Sequence, residues 1–169
     1  MSRTLNNKLV GQVGEHLLSA KLGMMGFYAS PFAGNVPTFD VTAVDAETLR
    51  SKIIQVKTST TNTLAQSEIS TWIETNVDDT GLYSFGEKRK LIHPKMIWVL
   101  INLPSKDLGS ARFFICTEKD IQEAHINRFT TWIESHGYRR PKLGNSMHSI
   151  LTITELSKFE DNWALITKH

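Results

Sequence analysis

Apolar residues recur at helical spacing near the start of the chain, at Val10, Val13, Leu17, Ala20 and Met24. This stripe predicts a helix over residues 6–25 that turns one face to a core. Asn6 or Asn7 can cap it, and Gly23 or Gly26 can close it. Residues 27–32 form a short aromatic stretch that runs into Ala33, Gly34 and Asn35, a strand followed by a turn. Val36, Pro37 and Thr38 then lead into a second strand, where Phe39, Val41 and Ala43 alternate with Asp40 and Thr42. After a polar connection over 45–51, Ile54, Val56 and Thr58 fall on one side of a third strand. Ile53, Gln55, Lys57 and Ser59 fall on the other.

Beyond residue 58 the pattern weakens. Residues 58–63 are rich in Ser and Thr, and no periodicity returns until Ile69 and Trp72, which predicts a loop with at most a short helix or strand. Residues 78–95 are polar, contain Gly81 and Gly86, and predict a second loop whose tip carries Lys88, Arg89 and Lys90. Residues 96–103 (MIWVLINL) are the most apolar run and read as a central strand buried on both faces. Residues 111–116 predict a neighbouring strand. Thr117, with Asp120 in the first turn, caps a helix through Ile121, Ala124 and His125, and its apolar pattern continues by Phe129, Trp132 and Ile133 towards His136 and Gly137. A short alternation, ILTITEL, precedes a terminal helix docked through Phe159, Trp163 and Leu165. With no repeat, linker or low-complexity segment, residues 1–169 read as one mixed α/β domain.

Composition narrows the class. The chain has 169 residues, 40% of them hydrophobic and 21% charged, which is enough for one well-cored domain and excludes a disordered or fibrous chain. A net charge of +2 permits a polyanionic partner without requiring one. Cys116 is the single cysteine, so no disulfide framework or cysteine metal site is available, and its apolar setting reads as a small buried hydrophobe. The N-terminal residues lack the apolar core of a signal peptide, and no run approaches a membrane span, so a cytoplasmic protein is expected. The six histidines lack zinc-ligand spacing, and there is neither a GxxxxGK loop nor a GxSxG elbow.

The polar positions of the second and third strands carry the candidate chemistry. Gln55 and Lys57 project together, with α-carbons roughly 6.6 Å apart, and in an antiparallel hairpin Asp40 reaches the same face. Polar heads on otherwise apolar strands each need a partner if buried. Glu15 lies beside Gly11 and Gly14, each of which costs roughly 0.5–1 kcal/mol against alanine inside a helix. With Leu18 at i+3 and Leu22 at i+7, Glu15 sits on the margin of the buried face; it reads either as a solvated or Lys-paired glutamate, or as part of a site that the helix backbone must approach closely.

Glu15 on a helix, Asp40 on a strand after a turn, and Gln55-Val56-Lys57 on the next strand together resemble the PD-(D/E)XK nuclease superfamily, and are similar to the archaeal Holliday-junction resolvases. The resemblance covers the first third of the chain, with two departures. Pro37 stands three residues before Asp40 instead of next to it, and Gln55 occupies a place where the superfamily more often has Asp or Glu. The resemblance implies a restriction-endonuclease-like α/β fold, a mixed central sheet flanked by helices. It implies a DNA endonuclease dependent on Mg2+ or Mn2+, acting as a homodimer. Asp40, the Gln55 amide oxygen, the Val56 carbonyl and Glu15 would hold the metal, and Lys57 would hold or polarise the attacking water. Because glutamine removes a negative charge, an inactive nuclease-fold protein that binds nucleic acid or a protein partner is the alternative. Lys88, Arg89 and Lys90, and a second cluster of Arg139, Arg140 and Lys142, read either as solvated charge or as clamps on a nucleic-acid backbone. Trp72 and Trp132 read as core residues before base-stacking ones.

Overall fold

The Asn6 side chain accepts the Leu9 N–H at 2.8 Å, and this cap starts the first helix. Along the chain follow α1 (Asn7–Met24), β1 (Phe27–Pro31), β2 (Val41–Asp45), β3 (Ser51–Ser59), β4 (Thr63–Glu68), β5 (Ile73–Val77), β6 (Tyr83–Lys88), β7 (Ile97–Asn102), β8 (Arg112–Thr117), α2 (Glu118–Ser135), β9 (His148–Thr152) and α3 (Ala164–Thr167). The computed structural model describes residues 6–32, 38–105, 107–142 and 144–168. The turn expected at Ala33 to Asn35 lies outside the described residues.

A mixed sheet in the order β1-β2-β3-β7-β8 forms the centre. β1, β2 and β3 pair antiparallel in succession, β3 pairs parallel with β7, and β7 pairs antiparallel with β8. Alternation along β7 serves two cores. Val99 and Ile101 join Leu18 and Leu22 of α1 on one face, while Leu100 joins Ile121 and Phe129 of α2 on the other. The expectation of a central strand buried on both faces holds, and so does the mixed α/β architecture with helices on either side. Thr117 caps α2 as its sequence predicts: its hydroxyl accepts the Asp120 N–H at 3.2 Å, and the Asp120 carboxylate accepts the Thr117 N–H at 2.8 Å.

Three expectations need correction. The buried stripe of α1 is Val10, Gly14, Leu18 and Leu22, whereas Val13 and Leu17 are half-buried, Ala20 is exposed and Met24 is 89% exposed. The helix is rolled because its closest approach to the sheet is made by backbone: a Cβ built on Gly14 would lie 1.8 Å from Thr58 Oγ1 on β3. Residues 58–95 hold three strands, β4, β5 and β6, where loop was expected. β4 pairs with β9, and β5 pairs with β6 as an antiparallel hairpin. Tyr83 and Phe85 on β6 alternate with Ser84 and Gly86, and both rings pack on Phe129 of α2, at 5.8 and 6.1 Å between centroids. The third correction concerns the C-terminus, where the helix shrinks to a short 3-10 turn ending at Phe159 and the four-residue α3. There Ile166 is buried, and Trp163 packs on Phe113 at 5.2 Å.

The α1–β3 contact generates a prediction. Gly14→Ala gains helix propensity yet forces α1 off β3, and the clash exceeds that gain because a neighbour at 1.8 Å cannot be accommodated without moving the helix. The expected net loss is about 1–3 kcal/mol in urea unfolding. Adding Thr58→Ala, which removes the nearest atom, should return part of the loss, and a Gly14→Ala variant as stable as wild type would overturn the account.

Candidate functional site

The site is built where the β2–β3 ladder stops. β2 begins with Val41 opposite Ile54, and the Asp40 N–H donates to the Ile54 carbonyl at 2.9 Å. The next edge N–H of β3, that of Val56, donates instead to the Asp40 carboxylate at 2.7 Å. Asp40 thus closes the ladder with its side chain and satisfies a donor that the strand edge would otherwise leave open. Gln55 Nε2 donates to the same oxygen, Oδ2. Asp40 Oδ1 takes no hydrogen bond among the described residues.

Beyond this point an open cleft of about 930 Å3 is lined by Glu15 from α1, Asp40 from the start of β2, and Val56 and Lys57 from β3, with Gln12 and His16 beside them. Three elements therefore bring Glu15, Asp40 and Lys57 to one cavity. Gln55 is 8% exposed and lies behind Asp40, outside the lining. As placed, its amide nitrogen orients Asp40. The glycine reading divides: Gly14 is a close approach, while Gly11 has no neighbour near the position of a Cβ and simply leaves the cleft wall open.

Burial raises the Glu15 carboxyl above its ordinary value, Asp40 raises it further, and His16 and Lys57 act in the opposite sense. The Asp40 charge disfavours ionisation of Glu15, and the two carboxylates are a suitable donor set for a hard divalent cation, which needs only one or two of them when water completes its shell. Among the described residues no three His, Cys, Asp or Glu side chains gather as a metal cluster. The fit thus rests on Glu15, Asp40 and main-chain oxygen.

The two basic clusters stand elsewhere, and none of Lys88, Arg89, Lys90, Arg139, Arg140 and Lys142 lines the cleft. Lys88 pairs with Glu123 at 2.6 Å, and Arg89 with Glu74 at 3.2 Å, while Lys90 is exposed. Arg139 donates to Thr80 Oγ1 at 3.2 Å, Arg140 lies over the rings of Trp132 and Phe129 at 5.0 and 5.3 Å, and Lys142 is exposed. Sequence reasoning missed Trp98. The parallel register sets it beside Gln55, and Lys57 Nζ lies 5.9 Å from its ring centroid. Nothing local in the sequence announces that pairing. Cys116 is fully buried, and burial pushes its thiol well above the ordinary range, as expected of a packing residue. Among the described residues no helix is long and apolar enough to cross a membrane. No family model, curated protein or solved structure matches the chain.

The coupling of the two acids can be read directly. Because the folded value of Glu15 lies above the ordinary 4.5, its ionisation opposes folding. Its contribution therefore falls as pH rises from 4.5 through the raised value. In chelator, Asp40→Asn should lower the midpoint of the Glu15 carboxyl carbon in an NMR titration. A midpoint identical to wild type would mean that Asp40 does not contribute to it.

Proposed function

We propose that the chain is a metal-dependent endonuclease of the cytoplasm that hydrolyses DNA phosphodiester bonds, with a PD-(D/E)XK-type site in variant QxK form on a restriction-endonuclease-like fold. The observation that carries this reading is the convergence of Glu15, Asp40 and Lys57 on one open cleft. In it, Asp40, Glu15 and the Val56 carbonyl would hold Mg2+ or Mn2+. Such an ion, when bound, would supply charge neutralisation for the phosphate and a more acidic water. Lys57 positions the attacking water and stabilises charge on the phosphoryl oxygens. Gln55 and the Val56 N–H fix the Asp40 carboxylate, so that its second oxygen is offered in one orientation. Lys88 to Lys90 and Arg139 to Lys142 contact the DNA backbone, independently of sequence and with strong salt dependence. Two copies pair to cut both strands.

One observation favours a second reading from another class. The Gln55 amide already gives Asp40 a hydrogen-bond donor where a cation would otherwise balance its charge. A chain so arranged can keep the fold and bind nucleic acid or a protein partner without cutting.

Metal-dependent cleavage of duplex, single-stranded, flap and four-way-junction DNA separates the two. The nuclease reading expects cutting with Mg2+ or Mn2+, reduced about 100-fold or more by Asp40→Ala and by Lys57→Ala. Binding without cutting under either metal transfers the site to the second reading. Cleavage that survives both substitutions removes the site from the chemistry altogether.

A further inference from the structure

The cleft that holds Glu15, Asp40 and Lys57 has two unlike walls. On α1, Lys8, Gln12 and His16 recur every four residues, are exposed, and all line it. That spacing sets their side chains in one row roughly 12 Å long. The row starts in the first turn of α1, which carries no acidic residue, so the positive end of the helix dipole adds to the Lys8 charge. An anion is favoured along this wall.

The other wall comes from the ends of β1 and β2 and is aromatic. The Phe32 N–H donates to the Asp40 carbonyl at 2.7 Å, which extends the β1–β2 register by one pair beyond Pro31 and Val41 and sets Phe32 opposite Asp40. Residues directly opposite in an antiparallel pair share a face, with Cβ atoms roughly 5 Å apart. Phe32 lines the cleft and is 47% exposed, while Phe39, half-buried, meets its ring edge to face with centroids 5.3 Å apart and planes at 73°. One aromatic neighbour therefore steadies the Phe32 ring and leaves much of it open beside the acid. Polar and cationic groups on one wall and an open ring on the other suit a chain with anions along one side and flat heteroaromatic rings along the other. In a continuous duplex those rings are paired and stacked inside, whereas an unpaired strand offers a free ring face.

We propose that the cleft takes one unpaired strand of DNA in a fixed orientation, with its phosphates along the Lys8–Gln12–His16 row and one base stacked on Phe32 opposite Asp40. The proposal rests on the nuclease reading for the class of ligand. It adds two contact residues, Lys8 for the backbone and Phe32 for the base, and a preference for unpaired strand over continuous duplex.

Fluorescence anisotropy of the full chain in EDTA, where metal-dependent cleavage is blocked, tests strand binding separately from the chemistry. The probes are a labelled oligothymidine, a strand of the same length with abasic positions, and a continuous duplex. Wild type should bind the base-bearing strand about 10-fold more tightly than the abasic one, and more tightly than the duplex. Phe32→Ala should abolish the preference for bases and Phe32→Tyr should keep it. Tyr28→Ala removes an aromatic residue of β1 that is 71% exposed but lies outside the lining, and should change nothing. Lys8→Ala should weaken both single strands alike and lower the salt slope by about 1 while leaving the preference intact. Circular dichroism and thermal melting check that each variant folds. Equal affinity for the two single strands, tighter binding of duplex, absence of binding, or a preference that survives Phe32→Ala or is lost equally in Tyr28→Ala would overturn the proposal. A base preference without metal-dependent cleavage would keep the strand site and reject the nuclease, whereas cleavage without a base preference would do the reverse.

Discussion

A side chain at position 14 would drive its Cβ to within 1.8 Å of Thr58 Oγ1, so α1 can rest on β3 at this distance only because residue 14 has none. The consequence reaches past packing. Gly14 is followed directly by Glu15, and Thr58 is preceded directly by Lys57, so the contact fixes the spacing between two residues that line the cleft. The helix also brings Glu15 near enough to Asp40 for the Asp40 charge to disfavour ionisation of Glu15. The cost is visible as well: Thr58 Oγ1 is buried with no hydrogen-bond partner among the described residues. A strand position facing a helix would ordinarily carry an aliphatic residue, and here it carries a hydroxyl against bare backbone.

Gln55 has its own electrostatic logic. A carboxylate in its place would lie against Asp40 Oδ2 and, without a cation between them, one of the two acids would have to stay protonated. The amide removes that conflict and offers a donor, so the Asp40 carboxylate is oriented by two hydrogen bonds, from Gln55 Nε2 and the Val56 N–H. The arrangement exchanges charge for order. Fewer anionic ligands remain for a cation, while those that remain are better fixed.

What could be read from the sequence was what short-range chemistry decides. The caps at Asn6 and Thr117, the alternation in β2 and β3, and the apolar run of β7 each depend on residues a few positions apart. The roll of α1 escaped, because a stripe counted in side chains passes over Gly14, the residue that comes nearest the sheet. The β5–β6 hairpin escaped because its polar residues outnumber its apolar ones, and its packing partner Phe129 lies on a distant helix. Trp98 escaped for a similar reason. A parallel pair carries no turn signal, so nothing near Gln55 in the chain indicates which strand will lie beside it.

The end of the β2–β3 ladder accounts for the place of the site. β3 continues five residues past Ile54, where β2 begins, so on that edge Gln55 to Ser59 have no β2 residue opposite them while β7 covers the other edge. An exposed strand edge is a hazard for a sheet because its N–H and C=O groups invite another strand. This chain blunts the edge with Asp40, which takes the Val56 N–H on its carboxylate, and with α1, which crosses the adjoining face at Gly14. Both devices put acids next to an open strand end, and Lys57, exposed on that end, is the cation they meet. The solution to an edge problem and the gathering of the candidate chemistry are the same set of contacts. A one-residue slip of β2 against β3 would therefore turn Asp40 to the other face and dissolve both together.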